Sequence, residues 1–320
     1  MTDTLHLFSE VDFESNQELL EKIFSQFEEG TWTGISKNTG TKFFGGKIRN
    51  LRIKLNNNSI SIQGSLAKFY FGNNLCTLSY DQTIDAIIEL EACLGLSLED
   101  AIVRRIDLAC NLIMENVPCS YYVFLAKGGF LKRREDDNGL YYRNNNRAIL
   151  LYDKVQEQKT GKNQLVAHVK KLNLLRYEFR LKRSGEIAHR LNLQKPTLKS
   201  VITNYDNLVE LWRKSFDLIY KDIEFEIPEE DVFKTPTKFK NYLALQGIKR
   251  CGGFSSVINM IHEAKARRIF SHANHGTNLK SCVKGLVNKV GISKTPEMIL
   301  ELQAKINASA QYAVESFLQY

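Results

Sequence analysis

Residues 174–182 read Leu174-Leu-Arg-Tyr-Glu-Phe-Arg-Leu-Lys182 and form the clearest strand pattern of the chain. Apolar and basic residues surround Glu178 at the centre of this stretch, which predicts a β-strand with a carboxylate in its middle. The segment Ile102-Val-Arg-Arg-Ile-Asp-Leu-Ala-Cys-Asn-Leu-Ile113 has the same character and holds Asp107 near its middle. It predicts a second, largely buried strand. These two strands decide the fold, and the other elements are placed around them.

The segments on either side of these strands alternate between helical and hairpin patterns. Apolar spacing of three and four residues predicts helices at 13–27 and 81–93 and a helix beginning at 184–190. Period-two patterns around short polar turns predict hairpins at 48–55 with 59–64 and at 140–143 with 147–154. The Gly-rich, charged stretch from Lys127 to Gly139 predicts a loop. The fold class is therefore α+β, a mainly antiparallel sheet flanked by helices.

Two prolines and a group of acidic residues at 227–236 predict a domain boundary. The division is a first domain at 1–227 and a second, helical region at 237–320. Residues 261–270 and 280–289 of that region have basic helix faces, which would suit either a DNA-binding domain or a helical cap with its cations in water.

The composition is that of a globular protein. The chain has 320 residues, of which 43% are hydrophobic and 25% charged. No apolar stretch approaches the about 20 residues of a membrane span. The first residues have neither the basic start nor the apolar run of a secretory signal, and six widely spaced cysteines do not form a disulfide framework. We therefore expect a cytoplasmic protein with reduced thiols and no membrane partner.

The positive charge is concentrated in one part of the sequence. Residues 143–190 hold 12 Lys and Arg against 4 Asp and Glu. Tyrosines interleave with these cations, and together they supply groups for phosphates and rings for bases. The alternative is a solvated basic face, and the charge pattern alone leaves both open.

The carboxylates of Asp107 and Glu178 lie within strands that are otherwise apolar and basic. A buried carboxylate needs a cation, hydrogen-bond donors or a metal ion. Oxygen ligands from two neighbouring strands would suit a hard ion such as Mg²⁺ or Mn²⁺. Each acid could instead pair with a neighbouring arginine, and the residues by themselves do not distinguish the two cases.

Tyr152 ends the apolar run Ile149-Leu-Leu-Tyr152 and is followed by Asp153 and Lys154. A phenol becomes a nucleophile when its proton is removed or when a cation such as Lys154 stabilises the anion. A tyrosine at a strand end more often packs against the sheet with its hydroxyl in water.

The order of these segments resembles that of rolling-circle replication initiators, specifically the filamentous-phage gene II type proteins and related plasmid Rep nickases. Four short motifs over residues 48–190 carry the resemblance: Gly64-Ser-Leu-Ala-Lys-Phe-Tyr70, Arg105-Ile-Asp-Leu-Ala109, Leu151-Tyr-Asp-Lys154 with Glu157, and Leu175-Arg-Tyr-Glu-Phe-Arg-Leu181. Each motif is short, and the specificity lies in their shared order.

The resemblance implies a nickase that cleaves one strand of phage or plasmid origin DNA. A tyrosine would keep the 5′-phosphate covalently and leave a free 3′-OH for a polymerase. By this implication Tyr152 is the nucleophile, assisted by Lys154, and Asp107, Glu178 and Glu157 bind Mg²⁺ or Mn²⁺. The expected DNA-binding residues are Arg143, Arg147, Arg176, Arg180, Lys182 and Arg183. The expected partners are single-stranded or supercoiled origin DNA and the host helicase and polymerase, and a homodimer is left open.

The sequence departs from the family pattern in one feature, and two functions other than nicking are also compatible with it. Many related nickases bind their metal with a His-x-His pair, which this sequence lacks. Either carboxylates replace that pair, or the active site is degenerate. A non-catalytic DNA-binding replication or copy-control protein would use the same basic surface, and an RNA-processing enzyme shares the charge pattern. Tyr141 and Tyr142 are the reserve nucleophiles.

Overall fold

The computed structural model describes residues 1–35, 40, 42–122, 124–125, 129–136, 138–161, 169–220, 234–272, 274–290 and 297–318. Within these ranges the chain forms 12 α-helices and one open, antiparallel sheet of 10 strands. The α+β fold class predicted from the sequence is confirmed, including the helical C-terminal region.

The strands are β1 Thr2–Glu10, β2 Glu29–Ile35, β3 Lys42–Ile48, β4 Leu51–Asn56, β5 Ser59–Ser65, β6 Ile102–Ile113, β7 Lys132–Asp136, β8 Gly139–Arg143, β9 Arg147–Asp153 and β10 Leu174–Leu181. The helices are α1 Gln17–Ser25, α2 Leu66–Phe71, α3 Tyr80–Leu94, α4 Cys119–Tyr122, α5 Lys154–Thr160, α6 Ser184–Leu191, α7 Leu198–Thr203, α8 Tyr205–Asp217, α9 Pro236–Arg250, α10 Phe254–Ala266, α11 His275–Val290 and α12 Glu297–Leu318.

The strand order is β2-β3-β4-β5-β1-β6-β10-β9-β8-β7. Most neighbours follow one another in the chain and are joined as hairpins, but β1, β6 and β10 come together from distant segments. The three strands that carry Thr2–Glu10, Asp107 and Glu178 therefore lie side by side at the centre of the sheet. This arrangement positions the candidate site.

Side-chain alternation gives the sheet two different faces. On β10, Leu175, Tyr177 and Phe179 point into the core, where the Tyr177 ring packs against Trp212 of α8 at 4.9 Å between centroids. We call the other face, which carries Arg176 and Glu178, the site face. On β4 the same alternation buries the apolar residues Leu51, Ile53 and Leu55 and places Arg52 and Lys54 on the site face.

Local sequence signals set the ends of several elements. Ser79 and Gln82 form a capping box at the start of α3, and Gly95 ends this helix with a left-handed φ of 68°. In the β4–β5 hairpin, the Asn56 side chain accepts a hydrogen bond from the backbone N–H of Asn58 at 3.0 Å. The hairpin predicted around Asn56 to Asn58 is confirmed.

The structure corrects the prediction in three places. The first helix begins at Gln17 rather than at residue 13, because Asn16 caps it by accepting from the N–H of Leu19. Residues 132–136, predicted as loop, form the edge strand β7 paired with β8. The sequence analysis assigned no element to the segments that form β1, β2 and β3. Glycines weaken the period-two signal of β2 and β3, whereas β1 contains no glycine.

The chain divides into two compact units. The first comprises Met1–Ile113, Phe130–Ser215 and Lys305–Tyr320, and the second comprises Met114–Gly129 and Phe216–Ala304. The boundary predicted at 227–236 lies mostly outside the described residues, so the division into domains at 1–227 and 237–320 stays a prediction. No helix in the described ranges has the length and apolar character needed to cross a bilayer.

Candidate functional site

The candidate site is a cavity of about 350 Å³ on the site face, at the centre of the sheet. Strands β1, β6, β9 and β10 contribute its acidic and phenolic groups and two arginines, and α2 contributes Lys68. The lining residues are Asp3, Thr4, Asn50, Ser65, Lys68, Asn74, Arg105, Asp107, Tyr152, Glu178 and Arg180.

The antiparallel register brings Tyr152 to the two acids. Residue 152 on β9 lies opposite Arg176 on β10, and Arg180 lies opposite Asp107 on β6. Glu178 lies midway between these positions on the same face of β10. The Tyr152 hydroxyl donates a hydrogen bond to Oε2 of Glu178 at 3.3 Å. Three segments that are far apart in the sequence therefore share one cavity.

Asp107 and Glu178 are linked by arginine. Arg105 binds Asp107 through two hydrogen bonds, from Nε at 2.8 Å and from an Nη at 2.6 Å. The Nε of Arg180 lies 2.5 Å from Oε1 of Glu178 and 3.5 Å from Oδ2 of Asp107. One guanidinium thus spans both acids.

Asp3 extends this arrangement into β1. Its Oδ2 lies 2.8 Å from an Nη of Arg176, whose Nε lies 3.5 Å from Oε2 of Glu178. Ser65 donates a hydrogen bond to the other oxygen of Asp3 at 3.0 Å. Acids and arginines therefore alternate through the site, and a substitution at one member disturbs the charge balance of its neighbours.

Burial changes the proton affinity of several groups in the site. Desolvation, together with the charge of Glu178, raises the pKa of Asp107 to about 7, although the hydrogen bonds from Arg105 act in the opposite direction. Burial also raises the pKa of Tyr152 well above its usual range, although Arg176 lowers it. The tyrosine is accordingly a neutral phenol that requires both an acceptor for its proton and a cation near the resulting oxyanion.

The comparison with known families agrees with this geometry. The model of one family, the N-terminal part of the phage replication-associated protein of gene II, matches residues 26–200, which include every residue of the cavity except Asp3 and Thr4. The chain belongs to this family. The resemblance to filamentous-phage gene II type initiators is thereby confirmed, and with it a role in the initiation of DNA replication. A search of curated proteins finds no match.

Two residues that the resemblance to gene II type initiators assigned to the chemistry, Lys154 and Glu157, are not among the residues that line the cavity. The ammonium of Lys154 is buried, donates a hydrogen bond to Oε2 of Glu157 at 2.7 Å, and lies 6.0 Å from the centre of the Tyr152 ring. Glu157 also accepts a hydrogen bond from Gln158 at 2.7 Å and is not among the cavity-lining residues. The structure brings Asp107 and Glu178 together but does not bring Glu157 to them.

The site offers two carboxylates, Asp107 and Glu178, to a hard divalent ion, but no third acidic, His or Cys ligand in the part of the chain that the structure describes. Within the described ranges no three His, Cys, Asp or Glu side chains are grouped closely enough to hold a metal ion. An ion such as Mg²⁺, which keeps most of its water, needs only one or two carboxylates. Asp107 and Glu178 meet that requirement, and each carboxylate has more lone pairs than its arginine contacts use.

The predicted DNA-binding cations occupy different environments in this gene II type domain. Arg176 is 2% exposed and belongs to the interior of the site. Arg147 pairs with Glu186 at 3.1 Å, and Arg143 lies over the Tyr141 ring on β8. Two further cations, Lys182 and Arg183, line a second, open cavity of about 630 Å³ at the start of α6. The predicted cations therefore do not form one continuous surface with Arg176.

Asp3, Arg105 and Asn74 are site residues that the sequence analysis missed. Arg105 and Asp107 are separated by one residue in the motif Arg-Ile-Asp, so alternation alone would have placed both on one face. Asn74 follows α2, and its carbonyl accepts hydrogen bonds from Arg176 at 3.3 Å and from Asn111 at 3.1 Å. Nothing local in the sequence indicates that Asn74 lines the site.

Proposed function

We propose that this chain starts rolling-circle replication by nicking one strand of origin DNA, with Tyr152 as the nucleophile. The observation that carries the proposal is the hydrogen bond from the Tyr152 hydroxyl to Glu178 within a cavity that also holds Asp107. A hydroxyl nucleophile, an acceptor for its proton and a set of cations then surround one place where a phosphate can lie.

In the proposed reaction the Tyr152 oxygen attacks the scissile phosphorus, and the bond from phosphorus to the 3′-oxygen breaks. The products are a 5′-phosphotyrosine link and a free 3′-OH. The phenolic proton passes to Glu178 and ends on the leaving 3′-oxygen, so that no proton is gained or lost overall. The linked strand can later be rejoined by the reverse reaction, because the phosphodiester energy is retained in the covalent bond.

The arginines have separate proposed roles. Arg176 is buried and lies against the acids, and its positive charge lowers the pKa of Tyr152. Arg105 and Arg180 are 25% and 30% exposed, so that their outer N–H groups can reach a phosphate in the cavity. Planar guanidinium groups bind phosphate oxygens in pairs and offset the charge that develops during the attack.

Asp107 and Glu178 would hold a Mg²⁺ or Mn²⁺ ion. When bound, the ion would polarise the scissile phosphate and offset the charge on its oxygens. Asp3 is assigned to positioning, because its carboxylate pairs with Arg176 and accepts from Ser65.

The second candidate is a non-catalytic DNA-binding replication or copy-control protein. One observation favours it: each of the three acids of the cavity already pairs with an arginine. A site that only holds DNA could use the same ion pairs as a rigid scaffold, with the exposed cations contacting phosphates.

A covalent-adduct assay separates the two candidates. The protein is incubated with labelled single-stranded origin DNA and Mn²⁺, and the adduct is resolved on a denaturing gel. We expect an adduct with the wild type and with Tyr141→Phe, and none with Tyr152→Phe. An adduct with Tyr152→Phe would exclude Tyr152 as the nucleophile, whereas DNA binding without any adduct would favour the second candidate. Tyr142 is fully buried on the core face and is not accessible to DNA.

A further inference from the structure

Three aromatic rings on the site face each have a cation over them, in the half of the sheet that extends from the cavity toward β2. The Arg104 guanidinium lies 3.8 Å from the centre of the Phe8 ring. The guanidinium carbon of Arg52 lies 5.8 Å from the centre of the Trp32 ring, and Nζ of Lys54 lies 4.8 Å from the centre of the Phe43 ring. We call these three rings with their cations the aromatic platform.

Glycines in the neighbouring strands let two of these rings lie flat on the sheet. A Cβ at Gly45 would come within 2.4 Å of the Trp32 ring, and a Cβ at Gly34 would come within 2.5 Å of the Phe43 ring. Each ring therefore rests on the backbone of the adjacent strand. Both rings are partly exposed. The long side chains of Arg52 and Lys54 lie over them and would move aside for a stacked base.

The sheet register places part of the platform in one row. The row crosses five strands in the order Phe8, Ser61, Lys54, Gly45 and Trp32. At about 4.8 Å between strands, the row extends about 19 Å from β1 to β2. A surface of this length presents rings and cations in alternation, which is the pattern of single-strand binding sites.

The platform and the cavity belong to the same face and are connected through β1. Thr4, opposite Asp107, lines the cavity, and Phe8 lies four residues further along the same strand. Four residues of extended strand correspond to about 13 Å. His6 and Arg105, which lie opposite each other, occupy the position between them.

We propose that the aromatic platform binds the single-stranded part of the DNA whose phosphate lies in the Tyr152 cavity. This inference rests on the proposed function and adds the form of the substrate and the path of the strand. Bases can stack on Trp32 and Phe43 only when they are unpaired, because the faces of paired bases are already covered in a duplex.

The charge of the platform favours a polyanionic occupant. Its cations Arg52, Lys54 and Arg104 lie where they can contact the phosphates between the stacked bases. Strands β3 and β4 contain lysine and arginine, and none of the strands β3, β4 and β5 contains Asp or Glu. No acidic side chain of these three strands therefore repels a DNA backbone.

The experiment measures DNA affinity separately from cleavage. Variants are made in a Tyr152→Phe background, and a fluorescein-labelled oligothymidylate of about 20 nucleotides is titrated by anisotropy. We expect Trp32→Ala to weaken binding about 10-fold or more, and Trp32→Phe to stay within about 3-fold of the parent. Gly45→Ala should weaken binding as well, since its Cβ displaces the Trp32 ring. Ile35→Ala is the matched control, because Ile35 is 63% exposed on the same strand but on the opposite face.

Three outcomes of the affinity measurements would overturn the proposed platform. An unchanged affinity in Trp32→Ala, or an equal loss in Ile35→Ala, would overturn the platform. An equal loss of affinity for a duplex of the same length would also overturn it and indicate a duplex-binding surface. Because no cleavage is measured, a failure here leaves the adduct assay unaffected. Conversely, an adduct that persists in Tyr152→Phe would contradict the proposed nucleophile without affecting these affinities.

Discussion

The Tyr152 hydroxyl lies 3.3 Å from Oε2 of Glu178, although the two residues are 26 positions apart in the sequence. The contact is made across the β9–β10 pair, in which Arg176 is the direct partner of Tyr152. A neutral phenol is therefore held against a carboxylate, with a buried guanidinium on the adjacent position.

Glu178→Gln should reduce adduct formation at least about 100-fold, because the amide no longer accepts the phenolic proton. Arg176 and Arg180 would also lose part of their counter-charge, so we expect the free energy of unfolding to fall by about 1–3 kcal/mol. Urea denaturation and the adduct assay measure the two effects. Glu135→Gln, an exposed acid on β7, is the matched control. Wild-type adduct yield in Glu178→Gln would contradict the assignment.

Asp3→Asn should lower both stability and the rate of adduct formation. Asp3 is buried and pairs with Arg176 at 2.8 Å. Arg176 keeps its contact with Glu178 in this variant. We therefore expect a loss of about 1–3 kcal/mol rather than the larger cost of a fully uncompensated buried charge. Asp85→Asn, on the exposed side of α3, should change neither quantity. A stability loss without any change in rate would make Asp3 purely structural.

Arg176→Lys and Lys154→Met should differ in their effect on the reaction. The positive charge of Arg176 lowers the pKa of Tyr152, whereas the ammonium of Lys154 donates a hydrogen bond to Glu157. We expect a loss of at least about 100-fold in the first variant and less than about 10-fold in the second. Single-turnover adduct kinetics give the comparison. Equal losses would return Lys154 to the catalytic role suggested by the family resemblance.

Divalent ions should stabilise the protein through Asp107 and Glu178. At a concentration about 100 times its dissociation constant, a ligand of the folded state adds about 2.7 kcal/mol. Mn²⁺ should therefore raise the melting temperature of Tyr152→Phe but not that of the same protein with Asp107→Asn. EDTA should abolish the adduct in the wild type. If Mn²⁺ raised the melting temperature equally in both variants, the ion would bind at a site that does not include Asp107.

His6 should make the protein less stable in mild acid. Burial, together with the charge of Arg105, lowers the pKa of His6 from 6.5 to about 4 in the folded state. Between these two values the unfolded chain binds a proton that the folded chain does not, so stability falls as the pH falls through this window. After a discount for partial exposure, we expect a loss of about 1–2 kcal/mol. His6→Gln should flatten this part of the stability profile, and an unchanged profile would contradict the assignment.

The sequence alone determined two of the three central strands, β6 and β10, the α+β class, and the candidate nucleophile and acids. The segments around Asp107, Tyr152 and Glu178 have local apolar patterns, and their order along the chain was sufficient to indicate the family. Local patterns of this kind are readable because burial of one face imposes a period on the sequence itself.

Only the tertiary structure decided which groups meet. Asp3 joins the site because β1 inserts between β5 and β6, and no signal in residues 2–10 reports that pairing. Glu157 appears in the expected motif but turns toward Lys154 and Gln158 at the start of α5. The rings of Trp32 and Phe43 gain their flat orientation from glycines on a neighbouring strand. Contacts between distant segments depend on strand register and on the packing of the whole sheet, and neither is encoded in a short stretch of sequence.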